Sequence, residues 1–119
     1  MAAPLFPAPS RELSSRRHNL APGVDDAFRA FSERVFADGA IDAKTKQLIA
    51  VAVAHATQCP YCIQAHTKLA LRAGALPEQL MEAIWVATEM RAGGAFAHAN
   101  IALATLADEE ARTRGTSAP

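Results

Sequence analysis

Between Lys46 and Lys68 the chain carries no Asp, Glu, Lys or Arg. A run of this length must be removed from water in a membrane, in a core or in a contact between subunits. Two His, three Gln and Pro60 interrupt its apolar residues, and they argue against a helix that spans a membrane. The run is rich in Ala, which favours helix over strand. We therefore expect buried helices here, with part of the run at a subunit interface.

Start and stop signals around this run predict helices only. The expected helices are one from about Asp25 to Ala37, one that follows Asp42, one from Pro60 that closes on Gly74, and one that starts at Pro77. Gly93 and Gly94 mark a bend or a break, followed by a fifth helix or by the far half of a long fourth. The prediction is an all-α fold: a single compact, oligomeric domain of about five helices.

The helical domain is expected to span residues 24–112. Residues 1–23 hold four of the seven prolines and a Ser-rich patch, and they show no helical periodicity. They are interpreted as a flexible arm, either disordered or draped over a neighbour. Residues 113–119 are expected to form a flexible tail.

Charge and cysteine content narrow the class of protein. Twelve basic and twelve acidic residues balance, so nothing favours nucleic acid or an anionic membrane as a partner. Two cysteines are too few for a secreted disulfide framework, and no signal sequence is apparent, so a reducing cytoplasm is expected. An Ala-rich core of this length buries little area, which favours a homo-oligomer.

The two cysteines lie in the stretch QCPYCIQAHTK. In a helix that begins near Pro60, Cys59, Cys62 and His66 share one face, one turn apart. The helix start favours a thiolate at Cys59, whereas the imidazole four residues on favours one at Cys62. A zinc site would need His55 as a fourth ligand, and an inert buried pair is the third interpretation. A redox pair is preferred, with no metal and no bound cofactor.

The segment from DAKTKQL to MEAIWVA resembles the carboxymuconolactone decarboxylase family, in its alkylhydroperoxidase D-like branch. The resemblance rests on CxxCxxxH, the following LRAGA and a helix started by Pro and Glu. It implies a helical fold that assembles as trimers or hexamers. It also implies reduction of hydroperoxides, with re-reduction by an external dithiol such as a lipoyl group or a thioredoxin-like protein. By this resemblance Cys62 is the peroxidatic cysteine, Cys59 resolves it, and His66 belongs to a proton relay.

Two positions depart from the family pattern. Gln47 stands where a glutamate is common, and Tyr61 stands where a histidine lies between the cysteines of well-known members. An amide can orient a histidine but cannot exchange a proton at neutral pH. Replacement or supporting groups are sought on other helices, and the candidates are His55, Glu82, Glu89 and His98.

Two other functions remain open. A non-catalytic redox sensor or oligomeric module would use the disulfide to change packing, and the missing glutamate favours it. A lactone decarboxylase, as in the family name, would need a fixed cationic anchor for the carboxylate of its substrate, and no obvious Arg is expected near the motif.

Overall fold

A computed structural model describes residues 5–115 of the chain. Within this range the chain forms five α-helices and no strand, which confirms the all-α class. The helices are α1 (Arg11–Leu20), α2 (Pro22–Phe36), α3 (Ala43–Thr57), α4 (Pro60–Arg72) and α5 (Pro77–Thr113).

Most predicted helix ends are confirmed. The Asp42 carboxylate accepts a hydrogen bond from the Thr45 N–H at 2.7 Å and caps α3. Pro60 and Pro77 occupy the first positions of α4 and α5, where a missing N–H costs nothing. Gly74 follows α4 with φ +98°, a conformation that an L side chain would strain.

The expectation that residues 1–23 lack regular structure is wrong from residue 11 onwards, because α1 and the start of α2 lie there. Ser10 caps α1 by accepting the Leu13 N–H at 3.1 Å. Pro22 opens α2, three residues before the predicted start at Asp25. The high proline content suggested an irregular segment. However, Ser10 before a helix and Pro22 at the first position of a helix each favour a helix start. Residues 1–4, and 116–119 of the predicted tail, lie outside the described range.

The double glycine does not interrupt the last helix. The α5 helix continues through Gly93 and Gly94 as one element of 37 residues. This confirms the alternative that the residues after the glycines form the far half of one long helix. At Gly93 an added Cβ would lie 3.3 Å from a carboxylate oxygen of Glu89, a crowded distance. At Gly94 an added Cβ would meet nothing within 4 Å.

The core lies where α3 packs against α4 and α5. Val51, Ala70 and Ala75 are buried there, and partly buried Leu48, Leu80 and Ile84 surround them. The guanidinium of Arg91 on α5 donates to the carbonyl of Ala56 near the end of α3. This polar contact ties α5 to the helix end that leads into the cysteines.

A single copy of the chain is elongated. Its radius of gyration is 22.0 Å, whereas a compact domain of this length has about 13–14 Å. Its accessible surface is 9491 Å², about 3,000 Å² more than expected for a folded monomer of this mass. Large apolar side chains are exposed on several helices, and those on α2 and the outer half of α5 are Val24, Phe28, Phe31, Val35, Phe96, Ile101, Leu103 and Leu106. In the described part of the chain, no helix has the length and apolar character needed to cross a membrane.

Candidate active site

The corner between α3 and α4 positions the first cysteine. Gln58 closes α3 in the left-handed conformation, and the Cys59 N–H returns to the Ala54 carbonyl at 3.0 Å. Cys59 is then extended and becomes the N-cap of α4, with Pro60 behind it. The Cys59 side chain therefore lies over the first turn of a helix, where backbone N–H groups are unpaired.

The two cysteines contact each other across the first turn of α4. The backbone N–H of Cys62 donates to Sγ of Cys59 at 3.3 Å, and both thiols are free and partly exposed. Hydrogen bonds from the Cys62 thiol and from the Cys62 backbone N–H lower the pKa of Cys59. The same thiol contact, together with burial, raises the pKa of Cys62. The pair thus favours a single negative charge at Cys59, with the proton held on Cys62.

His66 lies one turn beyond Cys62 and is fixed from two sides. Its Nδ1 lies 2.8 Å from Oε1 of Gln47, and its ring stacks on Phe36 with centroids 5.1 Å apart. Burial lowers the pKa of His66, so the ring is neutral at pH 7. Because the amide oxygen of Gln47 only accepts, Nδ1 carries the proton and Nε2 keeps its lone pair. His66 is therefore held as a neutral base.

Two grooves meet at Cys62 and His66. One, of about 420 Å³, lies between α2, α3 and α4 and is lined mainly by Val35, Phe36, Ile49, Ala50 and Val53. The other, of about 820 Å³, lies between α2 and α4 and includes Val24, Phe28, Tyr61, Arg17 and Arg29. Cys59 is in the lining of neither groove. Cys62 is thus the sulfur that a molecule in either groove would meet.

Arg17 and Arg29 are further functional candidates, and the sequence pattern around the cysteines does not indicate them. The expectation that no Arg lies near the motif is wrong, because α1 and α2 bring both side chains into the groove that contains Cys62. They are 45 and 33 positions before Cys62 in the chain, so no local spacing could have indicated them.

Tyr61, between the two cysteines, contacts the N-terminal segment through its hydroxyl and its ring. Its hydroxyl donates to the Pro7 carbonyl at 2.8 Å, and its ring meets that of Phe6 edge-on at 6.4 Å. In this arrangement the residue that replaces the family's histidine binds backbone instead of relaying a proton to the sulfurs.

The other candidate residues lie apart from the cysteines within one copy. The ring of His55 bonds the Val51 carbonyl of its own helix at 2.7 Å, and that of His98 bonds the Gly94 carbonyl at 2.6 Å. Glu82 and Glu89 are exposed on α5. None of these four residues is in the lining of either groove.

The alternative zinc set is not assembled in the described range. Among residues 5–115, the only group of three ligand atoms within 4.8 Å of one another belongs to His18, Asp25 and Asp26. These side chains already have partners, because His18 bonds Asp26 at 2.9 Å and Arg29 bonds Asp25 at 2.8 Å.

Together the fold and the site define a small all-helical protein with a CxxC pair at a helix amino terminus and a histidine one turn later. The profile of the carboxymuconolactone decarboxylase family matches residues 22–105, and the chain belongs to this family. It is 71% identical over 83 residues to the protein described as uncharacterized protein 4 in the cox locus of Paracoccus denitrificans, which covers 70% of this chain and 75% of that one.

Solved structures agree with this assignment. A carboxymuconolactone decarboxylase family protein from Legionella pneumophila superposes with a TM-score of 0.64 and 34% identity, over 66% of this chain and 70% of that one. A family member from Thermotoga maritima, whose description suggests involvement in an antioxidative response, superposes with a TM-score of 0.56 over 90% of this chain and 97% of its own. At 23% identity, the second likeness shows the fold alone.

Proposed function

We propose that the protein is a thiol-dependent peroxidase of the alkylhydroperoxidase type, which reduces hydroperoxides with Cys62 and Cys59. The observation that carries the proposal is the hydrogen bond from the backbone N–H of Cys62 to Sγ of Cys59, with Cys62 and His66 together in the lining of both grooves. A thiolate, a second thiol and a base are the groups that such a cycle requires.

The first step belongs to Cys62 in this proposal. Its sulfur lines both grooves with His66, and the neutral Nε2 of His66 can accept the thiol proton. The Cys62 thiolate attacks the terminal oxygen of the hydroperoxide, the O–O bond breaks, and Cys62 becomes a sulfenic acid. The leaving alkoxide takes the proton from the imidazolium and departs as an alcohol.

The second step belongs to Cys59. The backbone N–H of Cys62 donates to Sγ of Cys59 and favours its thiolate, which is the form that attacks a sulfenic acid. An S–S bond forms, the S–O bond breaks, and hydroxide leaves and is protonated to water. Two electrons from an external dithiol, a lipoyl group or a thioredoxin-like protein, then restore both thiols. No bound cofactor is needed, and the reducing cytoplasm suits such a cycle.

Assembly into a homo-oligomer, a trimer or a hexamer, is part of the proposal. A single copy exposes about 3,000 Å² more surface than a compact monomer, an area comparable to obligate interfaces. The exposed apolar side chains on the outer half of α5 contribute to that area in this proposal. Sedimentation of the purified protein should give a mass of three or six chains of 12.6 kDa.

A steady-state assay tests the proposed activity. Consumption of cumene hydroperoxide is measured with dihydrolipoamide, with thioredoxin and its reductase, and with dithiothreitol as the reductant. We expect turnover with at least one dithiol, its loss in Cys62→Ser, and a single slow turnover in Cys59→Ser. Unchanged peroxide consumption in Cys62→Ser would contradict the proposal.

The redox sensor is retained as a second candidate because of one observation. Gln47, which cannot exchange a proton, occupies the buried position beside His66. A sensor would react slowly with peroxide and change its assembly on oxidation, as read by size-exclusion chromatography of the reduced and oxidised protein.

A further inference from the structure

The groove that contains Cys62 extends beyond the cysteines. A neighbouring groove of about 740 Å³ is lined by residues 7–11 together with α1 and the outer face of α4. The two grooves share Arg17, Tyr61 and Ala65. They therefore form one continuous surface from His66, past Tyr61, to the N-terminal segment, which we call the α1–α4 groove.

The floor of the α1–α4 groove is apolar. Val24 and Phe28 on α2 are exposed into it, Leu13 on α1 continues the apolar surface, and Pro7 and Pro9 form the far wall. The bond between the Tyr61 hydroxyl and the Pro7 carbonyl fixes that wall to α4. An extended apolar molecule could therefore lie along the groove with one end at Cys62.

The rim of the groove carries excess positive charge. Its ionised lining residues are three arginines, Arg11, Arg17 and Arg29, and one carboxylate, Asp25. The guanidinium of Arg29 already has two partners, because it donates to Asp25 at 2.8 Å and to Ser14 at 3.0 Å. Arg17 lies 3.9 Å from the same carboxylate, and its side chain is 70% exposed. Arg17 is thus a cation that can still bind an anionic group.

Two of the three arginines of the rim lie before the region that the family model matches. Arg11 and Arg17 belong to α1, whereas the family match begins at residue 22.

We propose that the α1–α4 groove binds amphipathic hydroperoxides that carry a carboxylate, as fatty acid hydroperoxides do. The apolar chain lies on Val24, Phe28 and Leu13, Arg17 binds the carboxylate, and the O–O bond lies at Cys62. This inference rests on the proposed peroxidase function for its chemistry, but the binding step can be measured separately.

The binding experiment needs no peroxide. Titration calorimetry compares dodecanoate with dodecanol, below their micellar concentrations, on the wild-type protein and on Arg17→Gln. The matched control is Arg16→Gln, an exposed neighbour on α1 that is in the lining of neither groove. We expect the wild type and the control to prefer dodecanoate, and Arg17→Gln to lose about fivefold in dodecanoate affinity, the effect of one exposed ion pair.

The kinetic experiment compares linoleic acid hydroperoxide with its methyl ester and with cumene hydroperoxide. Arg17→Gln should raise KM for the acid by about fivefold and leave the ester and cumene hydroperoxide unchanged. Equal affinities for dodecanoate and dodecanol in the wild type would overturn the inference, even if the enzyme reduces cumene hydroperoxide. If the wild type binds dodecanoate but reduces none of the three hydroperoxides, the proposed function is overturned instead.

A second copy of the chain is the other molecule that could fill this groove. Sedimentation of Arg17→Gln distinguishes a substrate from a second copy as the occupant of the groove. If the groove binds substrate, the substitution leaves the oligomeric state unchanged. A shift to smaller species in Arg17→Gln but not in Arg16→Gln would overturn the inference and assign the groove to a subunit contact.

Discussion

Replacing Gln47 with Glu should raise the pKa of His66. Gln47 is only 8% exposed, and its side-chain oxygen lies 2.8 Å from Nδ1, so a carboxylate there would face the ring directly. An opposite charge at such a distance shifts a pKa by about 1–3 units, and each unit corresponds to about 1.4 kcal/mol. His66 keeps some contact with solvent, which screens the pair, so we expect a rise of about 1–2 units.

The assay is an NMR titration of the four histidine Cε1–H signals between pH 4.5 and 8.5. The wild-type His66 should titrate below its usual value because it is partly buried, and the Gln47→Glu signal should titrate above it. Gln64→Glu, an equal charge change at an exposed position of α4, is the matched control and should leave His66 unchanged. A wild-type and a Gln47→Glu pKa that coincide within about 0.3 units would refute the account of the relay, since the expected rise is at least about one unit.

The direction of the His66 pKa shift determines how the stability of the fold depends on pH. In the wild type the unfolded chain binds a proton at His66 more readily than the folded one, so this residue's contribution falls as pH drops below about 6.5. In Gln47→Glu the folded pKa is raised, so the contribution is complete below about 6.5 and is lost as pH rises through the raised pKa.

Three further substitutions have outcomes that follow from single contacts. Cys59→Ser removes the thiol that raises the pKa of Cys62, so alkylation of Cys62 by iodoacetamide should reach its half-maximal rate at a lower pH. An unchanged pH profile would contradict the interaction between the two cysteines. Gly74→Ala, at φ +98°, should lower the free energy of unfolding in urea by about 1 kcal/mol or more. Gly94→Ala, inside α5 with no atom within 4 Å of the added Cβ, should raise the free energy of unfolding slightly. Equal effects would contradict the left-handed backbone at Gly74. Val51→Ala, at 0% exposure, should cost about 2 kcal/mol, and Val53→Ala, at 52% exposure, clearly less; a reversed order would place the core elsewhere.

Local rules were sufficient for most of the fold. Asp42, Pro60, Gly74 and Pro77 each act within one helical turn, so their effects can be read from the sequence. The uncharged run from Gln47 to Thr67 became most of α3 and α4, the two helices that carry the site. The α1 helix was missed because a proline-rich composition describes the whole segment, whereas Ser10 and Pro22 act at single positions.

The site was predictable only in its local part. Cys59, Cys62 and His66 are spaced by one helical turn each, and the structure keeps them on the first two turns of α4. The partner of His66 also came from a recognised position, Gln47. Phe36, Arg17 and Pro7 reach the site from remote segments through tertiary contacts, and no periodicity in the sequence encodes those contacts.

The central claim is that the two cysteines act as one redox pair on a hydroperoxide. The direct measurement is a single turnover: the reduced protein, freed of reductant, receives one equivalent of cumene hydroperoxide, and alcohol, thiols and disulfides are counted by mass spectrometry. We predict one alcohol per chain, the loss of two thiols and an internal bond between Cys59 and Cys62. Formation of alcohol with both thiols intact, or no reaction with either sulfur, would contradict the account.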